Sequence, residues 1–188
     1  MDHLFQAEWN RRSLLRVAVA GLALTCGRWL SATPAMARQF PEGRLLLYNA
    51  HTSERLDVSY RDGQGRYDRG AIADLNQFLR CHHSNKVAAM DLRVIEILNT
   101  IRTQVGEDKE IVVHSAYRSP EYHTYLIRHN RRAARHSFHV TAQAIDFHIE
   151  GVPLREVRHA ALRLGHGGVG YYPRRGFLHI DSGPSRYW

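Results

Sequence analysis

The sequence predicts an α+β domain over residues 38–188: a small, mostly antiparallel sheet with flanking helices. Three observations carry this reading. Two short β-type runs lie on either side of Asn49 to Ser53. Apolar residues then recur at helical spacing in two segments, and two further β-type runs follow near the C-terminus across a Pro-Arg-Arg-Gly turn.

Taken in order, Leu45-Leu-Leu-Tyr48 and Glu54 to Tyr60 read as a β-hairpin, closed by the turn chemistry of Arg61-Asp-Gly-Gln-Gly65. Ile72, Leu75, Phe78 and Leu79 mark one amphipathic helix. Leu92, Ile95, Ile97, Leu98 and Ile101 mark a second, stopped near Gly106. Glu110 to Ser115 is an apolar run suited to a buried strand. Ser119 is placed as N-cap and Pro120 at the first position of a third helix. Arg128 to Arg135 is a basic stretch, expected to be a mobile loop. Gln143 to Ile149 reads as a strand and Pro153 to Leu164 as a helix. Val169 to Tyr172 and Phe177 to Ile180 read as antiparallel strands across Pro173-Arg-Arg-Gly176.

The first 37 residues carry a different signature. Asn10-Arg-Arg-Ser-Leu-Leu-Arg16 is a twin-arginine pattern, the apolar run Val17 to Cys26 follows, and Ala35-Met-Ala37 offers small residues at a signal-peptidase spacing. This is the pattern of a twin-arginine (Tat) signal peptide, predicting export to the periplasm with cleavage after Ala37. The apolar run is short of the roughly 20 residues a membrane span needs, and Arg28 interrupts it, so no stable membrane insertion is expected after cleavage. Leu24-Thr25 is a poor lead-in for a lipidated Cys26. A net charge of +8 suits an anionic envelope surface, and the compartment argues against nucleic acid. Only Cys81 remains beyond residue 37, so that segment can form no internal disulfide. Cys81-His82-His83 invites a metal reading, but a buried thiol at a helix end is preferred. Oligomeric state is not legible.

Two polar clusters carry the chemistry. The first runs Ser137-Phe-His-Val-Thr-Ala-Gln-Ala-Ile-Asp146, and the second Phe177-Leu-His-Ile-Asp181. His179 and Asp181 stand at i and i+2 of a strand and share a face, as do Asp146 and His148. His139 lies in the loop seven positions before Asp146. Two strands of one sheet can therefore aim Asp146 and His179 at a common point with His139 closing from above. Two imidazoles and one carboxylate, with a position left for water, suit one catalytic Zn2+ per chain. With thirteen His in the chain, a chance His-x-Asp is also easily found.

Ser137-x-His139-x4-Ala144-x-Asp146 followed by His179-x-Asp181 resembles the zinc peptidases of the D-Ala-D-Ala metallopeptidase and hedgehog group, and most closely the YcbK/MepK-like murein endopeptidase family. The resemblance extends to Leu45–Asn49, Asp74–Arg80, Ser115-Ala-Tyr-Arg-Ser-Pro120, Gly167-Gly-Val-Gly-Tyr-Tyr-Pro173 and the ending Phe177–Gly183 with Arg186-Tyr-Trp188. It implies a fold of the hedgehog and D-Ala-D-Ala metallopeptidase kind, His139, Asp146 and His179 as zinc ligands, and peptidoglycan as substrate. In that family Gly often stands three residues after the first His; here it is Ala142, a departure with a backbone cost if φ is positive there. Related dipeptidases place a Glu three residues before the last His, where this chain has Gly176. Asp181 is then the nearest candidate general base, with orientation of a ligand imidazole as its alternative role. Arg118 is expected to bind a substrate carboxylate or the oxyanion, or else to tether its loop. Ser137 and His166 are candidate cleft residues, and His114 is expected to pack in the core.

The resulting expectation is a periplasmic zinc metallopeptidase that cuts peptidoglycan cross-links. A zinc D,D- or L,D-carboxypeptidase trimming stem peptides, and a zinc-containing cell-wall binding module without turnover, are the alternatives.

Overall fold

The structure is a computed structural model that describes residues 42–129 and 134–188. The twin-arginine segment at residues 1–37 lies outside the described residues, as do residues 130–133 of the basic stretch. Seven strands form one sheet: β1 (Gly43–Asn49), β2 (Arg55–Arg61), β3 (Ile111–Ser115), β4 (Ala144–Ile149), β5 (Gly168–Tyr172), β6 (Phe177–Asp181) and β7 (Arg186–Tyr187). Their order across the sheet is β2-β1-β3-β4-β6-β5-β7. Only the β1–β3 and β5–β7 pairings are parallel. The α-helices of the described residues are α1 (Arg69–Phe78), α2 (Leu92–Val105), α3 (Pro120–His129) and α4 (Leu154–Leu164). None is long and apolar enough to cross a membrane.

Local chemistry sets the helix ends. Asp68 accepts from the N–H of Ala71 at the start of α1 and Asp91 from that of Arg93 at the start of α2, each meeting a donor that the first turn leaves unpaired. The Ser119 hydroxyl accepts from Tyr122 N–H, and Pro120 opens α3. That helix runs on through Arg128 to His129, so the first residues of the basic stretch are helical rather than loop. Gly165, in the left-handed region at φ 65°, ends α4.

The sheet has two unlike faces because side chains alternate along each strand. On one face Val113, Ile145, Phe147, Ile149, Val169, Leu178 and Ile180 join the buried apolar residues of α2 and α4 in a single core. Phe147 is fully buried there, and cutting it back to Ala would cost about 3–5 kcal/mol. On the opposite face the same strands carry His114, Asp146, His148, Tyr172, Phe177 and His179. One face is thus packed by helices, and the polar face carries the candidate site residues.

Strand β7 has no counterpart in the sequence reading. It is two residues long, has no apolar alternation, and exists because it pairs in parallel with β5.

Candidate metal centre

The site is built on β4 and β6, whose antiparallel register sets Asp146 directly opposite His179. Directly paired residues hold their Cβ atoms about 5 Å apart. The third group arrives on the turn preceding β4. Val140 N–H bonds Ser137 O and Gln143 N–H bonds Phe138 O. The turn is also fastened outward, since His139 O accepts from Arg118 N–H at 3.0 Å and Ala142 O from Asp91 N–H at 2.9 Å. Ala142 takes φ 56°, the left-handed conformation that a Gly would occupy freely.

One ligand atom each from His139, Asp146 and His179 lies within 4.8 Å of the others. His139 Nε2 is 3.2 Å from Asp146 Oδ2, and His179 Nδ1 is 2.7 Å from Asp146 Oδ1. The remaining ring nitrogens fix both imidazoles. His139 Nδ1 is 2.7 Å from the carbonyl of Ala116, which can only accept, so Nδ1 donates there and Nε2 is the nitrogen turned inward. His179 Nε2 lies 3.1 Å from Asp181 Oδ2, leaving Nδ1 to face inward. The two histidines thus present different nitrogens, each backed by an acceptor, as metal-ligating imidazoles are.

The electrostatics suit a cation. Burial works to raise the Asp146 carboxyl, but the charges and hydrogen bonds of His139 and His179 prevail and hold it well below the usual carboxylate range. Burial alone would lower His179; its bonds to Asp146 and Asp181 outweigh that and push it up to about 9. A buried anion between two imidazoles, each with an inward nitrogen, fits one metal ion, and the donor set is one zinc accepts. Among the described residues this is the one cluster of His, Cys, Asp and Glu close enough to hold an ion. Cys81 is a buried free thiol, and His82 stacks on His51 at 3.9 Å; neither joins such a cluster.

The triad borders a cavity of about 650 Å3. Arg118 and Ser137 border it too. Arg118 is half-buried, its Nε is buried without a partner, and its Nη2 donates to Ser115 Oγ at 3.2 Å. Burial lowers its pKa despite the Asp146 charge. Among the described residues no carboxylate pairs with its guanidinium and no backbone carbonyl accepts from it.

Asp181 and His166 stand elsewhere. Asp181 is fully buried behind His179 and does not border the cavity. Its Oδ1 accepts from Gly168 N–H, Gly183 N–H and Arg186 Nη1, while Oδ2 faces His179 and accepts from Arg186 Nη2 at 2.6 Å. A carboxylate so occupied is not placed to take a proton from water in the cavity. His166 is exposed on the turn between α4 and β5 and bonds the carbonyl of Leu164; it also lies outside the cavity lining. It precedes β5, whereas Tyr172 at the other end of that strand borders the cavity, so the cleft residue of this segment is Tyr172.

His114 is not a core residue. It is half-buried, borders the cavity, and its Nε2 meets His148 Nδ1 at 2.8 Å. The alternation of β3 was the available signal, since Ile111 and Val113 face the core and His114 must face away. His51, Phe177 and Trp188 also border the cavity and were not singled out from sequence.

Comparison with known proteins identifies the family of the chain. The family model described as peptidoglycan L,D-endopeptidase MepK matches residues 38–188. The peptidoglycan L,D-endopeptidase MepK of Escherichia coli (strain K12) is 41% identical over 181 residues, covering 95% of this chain and 97% of its own length. The protein of the same name from Shigella flexneri gives the same figures. The probable peptidoglycan L,D-endopeptidase MepK of Haemophilus influenzae is 35% identical over 181 residues, 95% of each chain. No solved structure gives a significant match.

Proposed function

The chain belongs to the peptidoglycan L,D-endopeptidase MepK family, and from that membership we propose that it hydrolyses peptide cross-links of peptidoglycan with one Zn2+ held by His139, Asp146 and His179. The observation that carries the proposal is the triad itself: three ligand atoms within 4.8 Å of one another, two on imidazoles whose outer nitrogens are already engaged, at the edge of an open cavity. A zinc ion bound there supplies a Lewis acid and a bound water with a pKa near 7.

The remaining roles fall to the chain's own residues. Ala116 O engages His139 Nδ1 and Asp181 engages His179 Nε2, so His139 Nε2 and His179 Nδ1 are the nitrogens turned to the ligand point, where zinc would displace the proton that His179 shares with Asp146. Asp181 is a positioning residue for His179, which is the second of the two roles weighed for it. Arg118, a guanidinium without an internal carboxylate, holds a carboxylate of the stem peptide or the oxygen that gains charge as the amide is attacked. Ser137, at the cavity edge, offers a hydroxyl to the same peptide. Apart from Asp146, the proton-accepting side chains bordering the cavity are the imidazoles of His51, His114 and His136 besides the two ligands, and the proton of the attacking water is assigned to that set.

We place the protein in the periplasm, exported by the twin-arginine route on residues 1–37. The support is the Asn10–Arg16 motif, the short apolar run and Ala35-Met-Ala37.

The test uses the full chain incubated with isolated sacculi, with zinc, with chelator, and as His179→Ala. Loss of cross-linked muropeptides that needs zinc and is absent in the variant is the expected result. Shortened stems with dimers intact would replace the endopeptidase reading with a carboxypeptidase. No product from protein carrying one zinc would leave a binding module.

A further inference from the structure

The sheet order β3-β4-β6-β5 carries, in sequence across the cavity, Arg118 just beyond the end of β3, Asp146 on β4, His179 on β6 and Tyr172 on β5. The ligand pair therefore has one polar group on each side. Arg118 was legible from its motif, and the group on the other side has been given no role.

Tyr172 is held with unusual care. Its hydroxyl accepts a hydrogen bond from Trp188 Nε1 at 2.7 Å. An indole N–H can only donate, so the tyrosine oxygen must accept, and its own proton has to point elsewhere. Among the described residues no acceptor meets that proton, and Tyr172 borders the cavity. The phenol ring rests on Phe177, with centroids 4.8 Å apart.

Trp188 is itself fixed. Its N–H bonds Val169 O and its C=O receives Tyr171 N–H, so its backbone is stitched to β5. Arg186 lies over its ring at 5.2 Å, and the ring stands 5.5 Å from that of His179. The indole also occupies the space above Gly170, where a Cβ would meet its ring at 2.7 Å. A side-chain-free position and a two-residue strand thus hold one indole N–H against one hydroxyl.

We propose that Tyr172 donates its phenolic proton to an acceptor oxygen, carbonyl or carboxylate, of the bound stem peptide on the side of the ligand pair opposite Arg118, with Trp188 setting the direction of that bond. This rests on the endopeptidase reading. From β3 to β5 is three strand spacings, about 14 Å across the sheet. Tyr172 pairs with Phe177, two residues along the strands from the Asp146–His179 row and away from Arg118. The two groups therefore lie diagonally about the ligand pair, and an extended peptide between them spans at least roughly four residues. Arg118 and Tyr172 would then hold the substrate on either side of the bond that is cut. Tyr172 touches the substrate; Trp188 acts through Tyr172.

The experiment is a double-mutant cycle in the full chain with Tyr172→Phe, Trp188→Phe and both, on purified cross-linked muropeptide dimers. Tyr172→Phe keeps the ring contact and removes the donor; a 10- to 100-fold loss in kcat/KM is expected, with zinc content and Tm as in wild type. Trp188→Phe should cost 3- to 10-fold alone and nothing further in the Tyr172→Phe background. Wild-type turnover by Tyr172→Phe overturns the proposal, as does a Trp188→Phe cost that is equal in both backgrounds. A loss explained by missing zinc or a lowered Tm would make Tyr172 structural and overturn it equally. If the wild-type protein holds zinc and releases no product, the endopeptidase reading falls. Calorimetric binding of the same dimers then decides separately: tenfold weaker binding by Tyr172→Phe supports the contact, and equal binding removes it.

Discussion

His179 meets Asp146 through Nδ1 and Asp181 through Nε2, so one imidazole is clamped between two carboxylates of opposite situation. Asp146 borders the cavity; Asp181 is sealed beneath Arg186 and the Gly183 turn. Burial works to raise Asp181, but bonds from His179, Arg186 and the Gly183 N–H prevail and hold it far below the usual carboxylate range.

That arrangement predicts the behaviour of Asp181→Asn. As a positioning residue its loss should weaken zinc binding by 10- to 100-fold, and activity should return at saturating zinc. Metal titration followed by activity at several zinc concentrations checks this. A general base would instead leave affinity intact and activity unrecoverable.

The proton between His179 and Asp146 competes with the metal. With His179 pushed up to about 9, the imidazole is protonated at pH 7, and zinc binding there should release close to one proton. Calorimetry in buffers of different ionisation enthalpy reads that number. In the metal-free protein a raised pKa stabilises the fold fully below the ordinary histidine value near 6.5, and the contribution is lost as pH rises through about 9. The Tm gap between zinc-loaded and chelated protein should therefore widen over that window.

For Arg118, Arg118→Lys keeps the charge and loses the planar fork, so kcat/KM should fall at least tenfold; Arg118→Ala should fall 100-fold or more. Zinc stoichiometry should be unchanged in both. Steady-state kinetics with metal analysis on the same preparations decides it.

Ala142 gives a stability test. Gly at φ 56° relieves about 1 kcal/mol of left-handed strain and gives up about 0.8 kcal/mol from one buried methyl, so Ala142→Gly should lie within about 1 kcal/mol of wild type. Ala142→Val puts a branched side chain in the same conformation and the same buried space, and should destabilise by about 2–3 kcal/mol. Urea unfolding midpoints measure both.

Most of the fold was legible because its signals are local. The hairpin, the Ser119-Pro120 helix start and the Pro173–Gly176 turn announce themselves within a few residues. Strand β7 did not, because pairing with a distant strand creates it. Alternation plus one loop histidine made the convergence of His139, Asp146 and His179 readable, and the family resemblance singled those three out as candidate ligands. The shared face of His179 and Asp181 was also read from alternation, but alternation says nothing about what covers a face. Arg186, the Gly183 turn and Gly168 close over Asp181, and those are contacts made by folding. Which nitrogen each histidine turns inward was likewise invisible, since Ala116 O and Asp181 decide it. His166 misled because the turn ahead of β5 is at the wrong end of the strand, while Tyr172, at the cavity end, looked like any strand aromatic.

Trp188 has an optical consequence. It is the sole indole between residues 38 and 188, and it stands 5.5 Å from a ligand imidazole and in hydrogen-bond contact with Tyr172. Its emission should change when the imidazole exchanges a proton for a metal ion and again when a peptide settles against the phenol. With Trp188→Phe recording the background from Trp9 and Trp29, the protein carries its own fluorophore for following occupancy of the cleft in real time.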